Sequence, residues 1–347
     1  MNLSRRQTLT RLGLLGLGGT TLLQNAYAEI SGGWEAVQVG GESYITLRSI
    51  KDFYGFTDIR ISGSKITLRK PKKLTEGTGV LVEFTSGQQD VFMNGIKFVF
   101  SFPIKPYKST HLIHRIDLAK LFDPIMRPHN IAQATGSFDT VIIDPGHGGH
   151  DSGAVSRHGN GREKDHALST GLLLSTELRR IGFKVGLTRQ DDRFQTLQQR
   201  VDYANKYPNS IFISLHFNSG GGGRASGIET FTLSPKGVAH YGRGLKASDF
   251  NEKPGNNNDS ANIALATAVH SSVIKATKSR DRGIRRARYS VITGVKHPAI
   301  LLEGGFLSHS REGALIKSHD YQEDLAIAVR NAVRKYKIAT EQQPRRS

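Results

Sequence analysis

At 347 residues the chain has room for about two domains, and a hydrophobic fraction of 37% supplies real cores, which excludes a disordered chain. It contains no cysteine, which removes disulfides and thiolate metal sites, so any metal must be held by His, Asp or Glu. The formal net charge of +18 points to a polyanionic partner.

In chain order, Ser4-Arg5-Arg6-Gln7-Thr8-Leu9 precedes an apolar run from Leu12 to Leu23, and Ala26-Tyr27-Ala28 offers small residues to a signal peptidase. Residues 1–28 therefore read as a secretory signal peptide, with the arginine pair suggesting the twin-arginine route. The run is well short of the ~20 apolar residues that span a membrane. Export to the periplasm or cell envelope turns the positive charge away from nucleic acid, which is not an expected partner, and toward anionic envelope polymers.

Residues 29–135 read as a small β-rich accessory domain. Strands are expected at Tyr44 to Leu47, Ile61 to Leu68, Val80 to Phe84 and Phe98 to Phe102, and helices at Arg48 to Tyr54 and Arg115 to Leu121. Asn94-Gly95 is a tight-turn signal, because both residues tolerate positive φ. This order of elements resembles the small domain at the amino terminus of copper amine oxidases. The resemblance implies a binding or spacer module, with no copper chemistry. Residues 130–138, with Ala132, Gly136 and Ser137, read as a linker.

From 140 to 337 strand and helix patterns alternate, which predicts an α/β domain with a largely parallel sheet flanked by helices. The buried run Val141-Ile142-Ile143 breaks at Pro145-Gly146 and delivers His147 just past a strand end, the edge at which open α/β sheets bind ligands. A helix is expected from Glu163 to Arg180, then a strand at Phe183 to Thr188, a helix carrying Leu197, Val201 and Ala204, and a strand at Ile211 to His216. Gly220 to Gly223 read as a tether, Ile228 to Leu233 as a strand and Ser234 to Asp259 as a loop. A helix near Asn262 to Lys275, strands at Tyr289 to Ile292 and Ala299 to Leu302, and a helix from Tyr321 to Tyr336 complete the pattern. Residues 338–347 form a basic tail, expected to be mobile.

His147, Glu163, His216 and Glu303 thus stand at strand ends or at a helix start, able to meet at one edge. Two imidazoles and one carboxylate leave a zinc position open, the arrangement of a catalytic site. Taken singly, Glu163 is equally a first-turn carboxylate favoured by the helix dipole, His216 a core histidine, and Glu303 a buried charge that needs a partner.

Asp144-Pro145-Gly146-His147-Gly148-Gly149, Gly161-Arg162-Glu163-Lys164, Ser214-Leu215-His216-Phe217-Asn218 and Leu302-Glu303-Gly304-Gly305-Phe306-Leu307-Ser308 together resemble the zinc-dependent N-acetylmuramoyl-L-alanine amidases of the amidase 3 type. The resemblance implies zinc held by His147, Glu163 and His216, Glu303 as the catalytic carboxylate, and hydrolysis of the bond joining N-acetylmuramic acid to L-alanine in peptidoglycan. Asn218 and Arg200 are expected to position substrate. A monomer is expected, with room for a protein activator. Relatives that carry a site-plugging helix have it near 234–262, a stretch too polar and glycine-rich here to form one. Two departures, Tyr207-Pro208-Asn209-Ser210 for the usual Ala-Asp pair and His309 for the usual Asn, fall outside the ligand positions. A zinc peptidase or deacetylase acting on another wall bond, and a non-catalytic wall-binding protein, are the alternative classes.

Overall fold

A computed structural model describes residues 34–71, 79–128, 131 and 138–341. The expected signal peptide, nearly all of the linker and the last six residues of the tail lie outside the described residues. Among these, no helix is long and apolar enough to cross a membrane.

The strands are β1 (Ala36–Val39), β2 (Glu42–Thr46), β3 (Asp58–Ser62), β4 (Lys65–Lys70), β5 (Val80–Thr85), β6 (Asp90–Met93), β7 (Ile96–Val99), β8 (Lys105–Tyr107), β9 (Thr110–His114), β10 (Thr140–Pro145), β11 (Lys184–Leu187), β12 (Ser210–Asn218), β13 (Ile228–Leu233), β14 (Asp281–Ala287) and β15 (Ala299–Phe306). The principal helices are α1 (Leu47–Tyr54), α2 (Glu163–Arg180), α3 (Leu197–Asn205), α4 (Asp259–Thr277), α5 (Ser310–Lys317) and α6 (His319–Glu341).

Eleven strands form one sheet in the order β11-β10-β12-β15-β13-β14-β7-β6-β5-β4-β3. The expected parallel arrangement holds from β11 to β15 and from β13 to β7, while β13 runs antiparallel to β15. All six residues of β10 are buried, because the strand is covered on both faces. Helices α2, α4 and α6 cover one face around Leu174, Val269 and Val329, and α3 with the short helix Ser290–Gly294 covers the other around Val201 and Ile292.

Residues 34–128 do not stand apart from this sheet. The antiparallel strands β3 to β7 extend it, with β7 lying parallel to β14 through Phe98 and Ile284. The junction is ionic as well as apolar. Arg286 Nη1 donates to Asp117 Oδ1 and to Ser101 Oγ, each at 2.8 Å, the Lys97 amide donates to Asp281 Oδ2 at 2.9 Å, and Lys120 pairs with Asp259 at 3.3 Å. The second sheet, β1-β2-β9-β8, lies wholly within the amino-terminal part.

Several local expectations hold. The Asn94-Gly95 turn has φ of 49° and 80° at its two residues and joins β6 to β7, and α2 has the expected limits. Others need correction. Ile61 to Leu68 is not one strand but parts of a hairpin, β3 and β4, because Gly63 takes a φ of 59° and reverses the chain. Tyr289 to Ile292 is not a strand; its apolar residues belong to the short helix Ser290–Gly294, and the strand lies just before it as β14. Helix α5 was not anticipated. His309, one of the two departures, caps it, its Nδ1 accepting the Glu312 amide at 3.2 Å. Residues 234–258 hold only the short turns Ala247–Phe250 and Pro254–Asn258 before α4 begins.

Candidate active site

Strand β10 ends in a loop whose shape is imposed by two buried arginines. Arg189 donates to the carbonyls of Pro145 at 2.9 Å and Gly146 at 2.7 Å, and Arg200 to those of Pro145 at 2.8 Å and His147 at 2.6 Å. They hold His147 at a φ of 61°, a left-handed conformation that a non-glycine residue adopts at a cost. Arg200 also pairs with Asp144 Oδ1 at 2.7 Å. Burial alone pushes the Asp144 carboxyl up, but the Arg200 charge and hydrogen bonds from Thr188, Arg200 and Ser214 outweigh it and hold the group below the usual carboxylate range. Arg200, expected to position substrate, has a side chain 3% exposed and bonded to protein acceptors, so it shapes the His147 loop.

Glu163 opens α2 and points back under the strand ends. His147 Nε2 lies 3.1 Å and His216 Nδ1 2.8 Å from its Oε1, which also accepts the Phe217 amide at 3.1 Å. Its Oε2 accepts the Ala154 amide at 2.8 Å. Burial opposes its ionisation, yet the two histidines draw its pKa well below the ordinary value, so the carboxylate is kept charged. The first turn of a helix stabilises the same anion.

One ligand atom from each of His147, Glu163 and His216 lies within 4.8 Å of the others. The donor set, two imidazole nitrogens and one carboxylate oxygen, fits a divalent transition ion. The surroundings support that fit. His147 Nδ1 pairs with Asp151 Oδ2 at 2.9 Å, which leaves Nε2 to face Glu163 and His216. A Cβ added at Gly146 would overlap the His216 ring, and one at Gly153 would lie 2.6 Å from both Glu163 Oε2 and His147 Cδ2. Glycine is therefore what lets the backbone come so close.

Glu303, on β15, is the register partner of His216 on β12 and of Glu229 on β13. Its Oε2 is buried with no hydrogen-bond partner among the described residues. Burial first, then the charges of Glu163 and Glu229, push its carboxyl well above the ordinary value.

Glu229 escaped the sequence reading. Its Oε1 receives Arg282 Nε at 2.5 Å and Arg285 Nη1 at 2.8 Å, and its Oε2 accepts Asn218 Nδ2 at 3.1 Å. Asn218, expected to touch substrate, thus sits at the site edge tied to Glu229, and its Oδ1 accepts the Ser219 amide at 2.8 Å. The available signal was a single acid inside the otherwise uncharged strand Ile228–Leu233.

The family model of N-acetylmuramoyl-L-alanine amidase (Amidase_3) matches residues 141–335, a span that holds every one of these side chains. The chain belongs to this amidase family. The amidase match begins after residues 34–128, which stand outside it. The uncharacterized protein YqiI of Bacillus subtilis (strain 168) is 35% identical over 198 residues, covering 57% of this chain and 84% of that protein. AmiA of Escherichia coli (strain K12), an N-acetylmuramoyl-L-alanine amidase, is 26% identical over 227 residues, covering 59% of this chain and 78% of AmiA. The putative amidase YrvJ of Bacillus subtilis is 34% identical over 197 residues, but the chain spans only 33% of its length. Among solved structures, the catalytic domain of the amidase CwlV from Bacillus (Paenibacillus) polymyxa var. colistinus is 32% identical, with a TM-score of 0.49 over 57% of this chain and 98% of that one.

Proposed function

We propose that the protein is an exported zinc amidase that hydrolyses the bond between the lactyl group of N-acetylmuramic acid and L-alanine in peptidoglycan. The observation that carries this reading is the convergence of His147, Glu163 and His216 beside Glu303 within the family match. His147, Glu163 and His216 would hold the ion. When bound, zinc supplies Lewis acidity that polarises the scissile carbonyl and makes water a better nucleophile.

The chain's own residues supply the rest. Glu303, as the carboxylate, takes a proton from the attacking water as its oxygen bonds to the carbonyl carbon. The same carboxyl then hands that proton to the departing nitrogen as the C–N bond breaks. Asp151 keeps His147 in the tautomer that presents Nε2. Glu163 stays anionic because both histidines and two backbone amides stabilise its charge. The excess positive charge of the chain suits a polyanionic wall.

The test is mass spectrometry of purified peptidoglycan incubated with the zinc-loaded protein. Intact stem peptides with a free amino group on L-alanine are the expected products. Cleavage within the stem peptide or of an acetyl group would instead indicate a peptidase or deacetylase, and binding without cleavage would indicate a wall-binding protein.

A further inference from the structure

Across the strand ends, polar groups follow one another in a fixed order: His147 after β10, His216 on β12, Glu303 on β15, Glu229 on β13, and Arg282 and Arg285 on β14. The two guanidiniums converge on a single carboxylate oxygen, Glu229 Oε1, so one positive charge is left over. Arg282 stacks on the Phe306 ring at 4.8 Å and Arg285 on the Tyr241 ring at 4.2 Å, and these contacts fix both planes. Arg282 Nη1 and Nη2 and Arg285 Nη2 make no hydrogen bond among the described residues, and none of the three is a buried orphan. Arg282 keeps 24% of its side chain exposed, and Tyr241, against Arg285, is 42% exposed. Oriented guanidinium N–H groups with surplus charge are a receptor for a carboxylate.

We propose that Arg282 and Arg285 form a subsite for a carboxylate of the stem peptide, on the leaving-amine side of the cleaved bond. This rests on the amidase reading above. If the carbonyl lies at the His147, Glu163 and His216 cluster and the amine at Glu303, the peptide continues toward β13 and β14. The residue after L-alanine in the stem is a glutamate joined through its γ-carboxyl, which leaves its α-carboxylate free. Arg282 stands two strands beyond Glu303, roughly 10 Å at the usual strand spacing, and one residue of peptide plus an arginine side chain covers that distance. Glu229 is a positioning residue, clamping both guanidiniums from below.

The experiment compares two soluble muramyl peptides that differ only in that α-carboxylate, free in one and amidated in the other. Zinc-loaded protein is expected to cleave the free acid with a kcat/KM about 10- to 100-fold higher, the range for one charge-assisted hydrogen-bonded pair. Arg282→Met and Arg285→Met should bring the ratio toward one, and Arg282→Lys should recover part of it. Equal cleavage of the two substrates by the unaltered protein overturns the subsite while leaving the amidase reading intact, and does so without relying on any variant. A preference that persists in both Met variants also overturns it. Failure to cleave either substrate removes the amidase reading and the subsite with it.

Discussion

His216 and Glu303 face each other as register partners on the adjacent parallel strands β12 and β15, so their side chains leave the sheet on the same face and at the same level. One serves as a candidate ligand and the other is left with an orphan oxygen, Oε2.

Glu303→Gln preserves the shape of this pair and removes the transferable proton. Turnover is expected to fall about 100- to 10,000-fold, while bound zinc, measured by elemental analysis after dialysis, stays at the unaltered level. His147→Ala should lose metal and activity together. Loss of zinc in Glu303→Gln would make Glu303 a ligand.

Asp151 touches His147 on the side away from the ligand cluster. Asp151→Ala frees the imidazole to change tautomer, and competition with a chelator should show metal affinity about 10- to 100-fold weaker. An unchanged affinity would mean that the loop alone fixes the ring.

Acid stability tests the Asp144–Arg200 pair. The folded pKa of Asp144 is depressed, so its contribution is fully present above the unfolded value of about 3.9 and is lost as pH falls through the folded value. Asp144→Ala leaves Arg200 buried without its carboxylate, a loss of about 3–5 kcal/mol visible in denaturant melts at neutral pH. As pH drops below 4 the gap between the two proteins should narrow. A gap that widens in acid contradicts the assignment.

Removing residues 1–137 would expose the edge of β14 and leave Arg286 without Asp117. Such a truncated chain is expected to melt several degrees lower than the longer one or to self-associate through its open edge. Arg286→Met should recover part of the loss in the truncated chain only. Equal melting temperatures would instead establish residues 29–135 as a separable module.

The meeting of His147, Glu163 and His216 was legible because strands such as Ile211 to Leu215 end in a polar residue, and an acid at a helix start adds the third group. The glycines around His147 carried the same message, as Gly146 and Gly153 show. What Arg200 reaches could not be read from its place in the sequence, because a long side chain can turn inward, as this one does to Asp144. Strand β14 hid because its buried residues include Arg285 and Arg286, held by ion pairs, so no apolar run marked it. The joining of β7 to β14 pairs residues 98 and 284, a distance in sequence over which no local pattern operates.

The unbroken sheet has a mechanical consequence. Seven inter-strand steps separate β15 from β3, a span of roughly 30 Å at the usual spacing, bridged by backbone hydrogen bonds instead of a hinge. Anything grasped by the outer strands is held at a set range and bearing from Glu303.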